Sequence, residues 1–219
     1  MKSFIKKQEY NYIKKCLYDL NNSFRNCLDS NIIKVNKSCI NEKILNLFTN
    51  LSEQEKNLLD ITKITEPSYI NNYLSNLDQY VYGMPALTST QIIKLFKKEK
   101  NLKLPDLDKQ NSKNVYLGFI DKSKKKLFVA YNINGTLLKM TCRILDSNSK
   151  NTHKCALCNT VGGPNKVAFV SCVCKSGNSK KGSYRSIGLH ICLDSKKCNE
   201  RIVSTEKLEK ILKDVNNIK

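Results

Sequence analysis

The chain has 219 residues, with 38 Lys and Arg against 19 Asp and Glu, a formal charge of +19 at pH 7, ten cysteines and two histidines. That length suits one large domain or two small ones; no run of about 18 apolar residues is present to span a membrane, and two histidines give an acid-base enzyme little to work with. The excess charge is unevenly placed: residues 1–82 carry 11 basic and 9 acidic side chains, whereas 83–219 carry 27 and 10. Such an excess predicts a polyanionic partner, or a basic face steered toward an acidic surface.

Residues 1–82 read as a helical bundle domain. Ile13, Leu17, Leu20, Phe24 and Cys27 recur at fours and threes, which places them on one stripe of a helix from about residue 4 to 29. Ile40, Ile44, Leu47, Phe48 and Leu51 repeat the pattern. Ser52 with Glu55 is a capping-box signature, and Glu66-Pro67 opens a fourth segment carrying Ile70, Tyr73, Leu74, Leu77 and Val81. Four such helices with short connections predict an up-and-down bundle. Cys16, Cys27 and Cys39 are read as small apolar fillers within it.

Gly83 and Pro85 punctuate the chain and mark the expected boundary to a second domain, 83–219. Thr88 with Gln91 caps a new helix carrying Ile92, Leu95 and Phe96, which ends before Pro105. Three β-rich runs follow, 115–120, 126–133 and 136–144, the last two joined by Asn134-Gly135. That dipeptide is the favoured core of a type I′ hairpin turn, because both positions need positive φ. Gly118, inside the first strand, signals a bulge or a close approach by another backbone. Two further strand-like runs, 167–174 and 183–191, flank a basic turn with Lys180 and Lys181, and Thr205 begins a last helix with Leu208, Ile211, Leu212 and Val215 on one side.

Chemistry concentrates between residues 155 and 198. Cys155-Ala156-Leu157-Cys158 is followed, after a long arm, by Cys192 and Cys198, and two close pairs of thiolates are what a tetrahedral structural Zn²⁺ requires. Knuckle, hairpin and a short helix opened by Asp194 and Ser195 together spell a treble clef. The fold class expected is α+β: an N-terminal helical bundle, then an α/β domain with a small antiparallel sheet and a treble-clef-like zinc finger. Disulfides are not expected: no apolar h-region or cleavage site follows Met1, the other cysteines are scattered singly, and a reducing cytoplasm is the simpler setting. Cys172 and Cys174 share one face of a strand, and His153 and His190 sit beside the ligands in sequence; all four are secondary candidates for the metal. With four protein ligands the ion has no open position for catalysis, so the chain is not read as an enzyme.

These motifs resemble those of the FusB-type elongation factor G-binding proteins, the fusidic acid resistance family. The resemblance is carried by Tyr10-Asn11-Tyr12-Ile13, the Lys-rich segment from Leu95 to Pro105, Leu117-Gly118-Phe119, and above all Cys155-x-x-Cys158-Asn159 with Cys192-x-Asp194-Ser195-x-x-Cys198-Asn199. It implies a monomer whose C-terminal domain binds elongation factor G, touches the ribosome only transiently, and helps the factor leave ribosomes stalled by the drug. It further implies partner contacts on or near the metal-braced hairpin: Phe169, Lys180, Lys181, Tyr184, Arg185 and His190. Some resistance members carry Lys-Lys-Gly-Asp-Tyr where this chain has Ser186-Ile187-Gly188-Leu189-His190. The alternative is a zinc-containing nucleic-acid binding module in which the basic half grips rRNA directly.

Overall fold

The computed structural model describes residues 2–106, 113–146, 151–175 and 184–218. The chain forms two compact units, Met1–Tyr82 and Gly83–Lys219.

The first unit holds α1 (Lys7–Asn26), α2 (Ser30–Leu45), α3 (Glu53–Leu59) and α4 (Ser68–Asp78). Their apolar stripes meet in one cluster that includes Ile13, Leu17, Leu20, Ile44, Leu74 and Leu77. Local chemistry sets the helix ends. Asp29 accepts from Asn31 N at the start of α2, and Ser52 and Glu55 bond each other's backbone N–H at the start of α3. Three expectations are corrected. The first helix begins only at Lys7, because Ile5–Lys6 (β1) pairs in parallel with Val81–Tyr82 (β2). Leu47, Phe48 and Leu51 lie beyond the end of α2 but still pack on the cluster from the connection, so their spacing mimics a helix that the backbone does not make. Cys39 is exposed rather than a core filler.

The second unit is built on a five-stranded antiparallel sheet. Its strands are β3 (Leu117–Asp121), β4 (Lys126–Ile133), β5 (Thr136–Ile144), β8 (Val167–Val173) and β9 (Ser186–Cys192), in that order; β6 (His153–Lys154) and β7 (Val161–Gly162) form a separate short pair. Asn134 and Gly135 adopt φ of 48° and 87°, the geometry a type I′ turn demands, and they set Ile133 opposite Thr136. Alternation along the strands divides the side chains between two faces. One face buries Leu127, Val129, Leu138, Met140, Val170 and Leu189 against α6 (Ser195–Asn199) and α7 (Glu206–Asn216), whose Leu208, Leu212 and Val215 join the same core. On the other face α5 (Ser89–Leu95), capped by Thr88 and Gln91, places Ile92 and the following Phe96 over β3 and β4. There Phe96 meets Phe119 and Phe128 edge-on at 5.9 and 5.1 Å, and those two stack at 4.9 Å.

Candidate metal centre

The knuckle is folded by its own backbone. Cys155 N donates to Thr160 O at 2.8 Å and Asn159 N to Cys155 O at 3.0 Å, with Asn159 itself at φ 61°. Ala156 N bonds His190 O at 2.8 Å, which fastens the knuckle to β9. The second pair of cysteines comes from the end of β9 and from α6, whose start is capped by the Asp194 carboxylate accepting from Lys197 N at 3.0 Å.

These elements bring the sulfurs of Cys155, Cys158, Cys192 and Cys198 within 4.8 Å of one another. Cys155 and Cys198 are 4.0 Å apart, and Cys158 and Cys192 are 3.5 Å apart. Four sulfurs at about 2.3 Å from one Zn²⁺ define a tetrahedron with edges of about 3.8 Å, so the cage fits the ion. Its electrostatics suit a cation. The Cys158 thiol is held far below its ordinary range by hydrogen bonds from Cys155, Cys192 and Cys198. Cys155 is pushed up by its bond with Cys158, but those with Cys192 and Cys198 outweigh this and bring it to about 6. Cys192 and Cys198 are driven upward, chiefly by their bonds with Cys155 and Cys158. Four packed thiols thus cannot all ionise unaided; a divalent ion removes that conflict.

The surroundings suit thiolates. Cys192 N points at Cys155 Sγ at 3.4 Å, and Thr160 Oγ1 is 3.3 Å from Cys158 Sγ. The Tyr116 hydroxyl is buried beside Cys198 with no hydrogen-bond partner of ordinary geometry, as is Ser195 Oγ. Burial, then Cys198, push the Tyr116 pKa well up, so it stays a neutral donor for which a charged sulfur is the natural acceptor. Gly118 makes room for this corner: a Cβ there would lie 2.3 Å from Ser195 Oγ and 2.7 Å from the Tyr116 ring. The close approach at Gly118 is therefore made by side chains and not by the second backbone expected there.

Comparisons with known proteins agree with this geometry over nearly the whole chain. Residues 4–85 match the family model described as elongation factor G-binding protein, N-terminal, and residues 89–217 match that described as FBP C-terminal treble-clef zinc-finger. The chain belongs to the elongation factor G-binding protein family. The centre is its treble-clef zinc site, and the α+β expectation holds. A solved structure of the fusidic acid resistance protein FusC shares the fold with a TM-score of 0.78 and 24% identity over 98% of both chains. A search of curated proteins finds no match.

Of the residues that the resemblance singled out as partner contacts, Phe169 lies on β8 and His190 on β9. Phe169 stands opposite His190, with ring centroids 5.1 Å apart, and His190 stacks on His153 at 4.0 Å. Burial first, and His153 second, hold the His190 pKa below its usual range. The two histidines stack on each other, while all four cage positions are cysteines. Phe169 also lies over Gly188, where a Cβ would come within 2.6 Å of its ring. Tyr184 and Arg185 precede β9 and are exposed; Lys180 and Lys181 lie outside the described residues. Unlike the half of the sheet face under Phe96, the half over β8 and β9 is left open by the described residues: Phe169 and Val173 are 37% and 56% exposed, and Tyr184 is 71% exposed.

Two features were not foreseen. Cys142 and Cys172 form a disulfide between directly opposed positions of β5 and β8, with Cα atoms 4.2 Å apart. The expectation of free thiols there is corrected, and Cys172 is no metal candidate; cysteines 30 residues apart become neighbours only through strand register. Cys174 is free and buried in the core and is not one of the four clustered cysteines. The other feature is Asn199, buried next to a ligand. Its Oδ1 accepts from Val115 N and Tyr116 N at 2.7 and 2.9 Å, and its Nδ2 donates to Tyr116 O and Ser195 O at 3.1 and 2.9 Å. It ties the ligand-bearing helix to the start of the sheet, and its only trace in the sequence is its place after Cys198.

Proposed function

We propose that this protein is a non-enzymatic adaptor that binds elongation factor G through its zinc-bearing unit and promotes release of the factor from fusidic-acid-stalled ribosomes in the cytoplasm. The observation that carries this reading is the family match over both units, and the fusidic acid resistance protein of the same fold supports it. A cage of four cysteines leaves the ion no open position for chemistry, which suits a scaffold. In energetic terms the drug-locked factor exits a trap when a ligand prefers its release-competent state, since only differential affinity shifts a population.

The open half of the sheet, with Phe169, Tyr184, Arg185 and His190, is the proposed contact face, joined by Lys180 and Lys181. Exposed aromatics beside cations are the composition that dominates interface energetics. The test is a pull-down of purified elongation factor G by the zinc-loaded chain at low and high salt, with and without chelator. Retention at high salt and loss on chelation are expected. Capture that survives complete zinc removal would remove the metal-braced face from the interface, and no capture at any salt would sink the reading. The competing rRNA reading predicts instead that affinity for RNA falls by about 0.7 to 0.9 log units per phosphate contact for each log unit of salt.

A further inference from the structure

Next to the metal cage, with the ligand Cys192 in its wall, lies a cavity of ≈ 800 Å³ that nothing above uses. Four segments wall it: the turn between β3 and β4, the end of β5, the arm 160–167, and the 192–201 stretch containing α6. Ile120, Ile144, Val161 and Leu193 supply apolar lining, and Thr160 and Asn165 supply polar groups that donate and accept. Five cations, Lys122, Lys125, Lys166, Lys197 and Arg201, face two carboxylates, Asp146 and Asp194. Those carboxylates are already engaged, by Lys125 at 2.6 Å and Lys197 at 3.7 Å. Lys122, Lys166 and Arg201 have no carboxylate partner among the described residues.

Like charges around one concavity repel, and a concave wall of low dielectric focuses their field on whatever enters. The volume is that of a small-molecule site. An inorganic ion would satisfy the cations but leave the apolar lining wet, and an apolar molecule would do the reverse. A phosphate joined to a flat, weakly polar body uses both. We propose that this cavity binds a nucleoside phosphate, either free or as one residue of an RNA strand, with the phosphate on Lys122, Lys166 and Arg201 and the base against the apolar lining.

The site is coupled to the metal. Arg201 Nη1 donates to Thr160 Oγ1 at 3.5 Å, and the same oxygen lies 3.3 Å from Cys158 Sγ. Leu193, directly after a ligand, bonds Lys166 O through its N–H at 3.0 Å. Two walls are therefore fastened to residues at or beside the metal ligands.

Calorimetric titration of the full zinc-loaded chain tests this with five probes: guanosine diphosphate, inorganic phosphate, guanosine, a single-stranded ribohexanucleotide and a glutamate-rich peptide. The diphosphate or the hexanucleotide should bind about tenfold or more tighter than phosphate or guanosine alone, and each cation removed should cost about tenfold. Binding of the diphosphate identifies a free nucleotide as ligand; binding of the hexanucleotide alone identifies a residue within a strand. Lys122→Glu and Lys166→Glu are surface changes that should leave zinc content intact while weakening binding, whereas Lys207→Glu, exposed on α7 and outside the cavity, should not matter. The proposal is overturned if neither nucleotide probe binds at millimolar concentration, if Lys166→Glu binds as the parent does, if Lys207→Glu weakens binding equally, or if the acidic peptide is preferred.

Discussion

In the unit Gly83–Lys219 the main hydrophobic cluster runs without a break into three of the four metal ligands, Cys155, Cys192 and Cys198. In Met1–Tyr82 the cluster is closed by aliphatic and aromatic side chains with the lone thiol of Cys16, and no group of metal-ligating side chains is found there among the described residues. One unit thus depends on an ion to finish its core, while the other depends on helices whose ends are set locally. The distinction predicts what zinc holds in place and what it does not: the sheet face, the cavity and the cage should unfold together, and the bundle should unfold on its own.

The sharpest way to break that comparison is to remove the metal. Binding of a structural Zn²⁺ contributes on the order of 10 kcal/mol to a domain built around it. Chelation, or Cys198→Ser, is expected to unfold the second unit while the first keeps its helices. Circular dichroism and amide exchange measured on the full chain would show two separate transitions. A single transition that carries both units together would contradict the separation.

Within the second unit, two phenylalanines on one sheet face sharpen the contrast further. Phe96 is buried against Phe119 and Phe128, and Phe96→Ala should destabilise the unit by about 3–5 kcal/mol, read by denaturant unfolding. Phe169, 37% exposed over Gly188, should cost far less stability on truncation. Its loss should appear instead in capture of elongation factor G, as a drop of about tenfold or more if it is an anchor of the interface. Equal stability losses at both positions would erase the difference between the covered and open halves. Asn199→Leu comes next: it strands two backbone donors and one backbone acceptor beside the cage, and about 1–3 kcal/mol is expected for a buried group left unpaired. Its zinc affinity should fall with its stability.

How much of this was readable in advance follows from the range of each interaction. Ser52 with Glu55, Thr88 with Gln91, and Asn134-Gly135 act within four residues, and each shaped the backbone as its chemistry requires. The cage was also legible, because two-residue and five-residue gaps between thiols have few other uses. Register was not legible. The disulfide of Cys142 with Cys172, the pairing of Ile5 with Val81, and the hydrogen bonds of Asn199 to Val115 and Tyr116 all join residues far apart in the chain. Leu47 and Phe48 misled for a related reason: they reach the bundle core at helical spacing from a segment that is not helical.

The smallest expected effect compares one motif present in both units. Ser52 N donates to Glu55 Oε2 at 2.8 Å, and Thr88 N donates to Gln91 Oε1 at 2.8 Å; in return the hydroxyls accept from Glu55 N and Gln91 N at 3.3 and 3.2 Å. Truncating either hydroxyl to alanine should cost about 1 kcal/mol. Acid should tell the two boxes apart. Backbone and side-chain hydrogen bonds from Ser52 hold the Glu55 pKa below its usual value, so the folded state favours the ionised form. The stabilisation is then present above the ordinary glutamate range and is lost as pH falls through the lowered value. Gln91 does not titrate. Amide exchange at the start of α3 should therefore quicken in acid relative to its intrinsic rate, while exchange at the start of α5 in the zinc-loaded chain should not, down to the pH at which protons begin to displace the metal. If both caps loosened together well above that point, the loss would belong to the metal-held unit as a whole and not to the carboxylate.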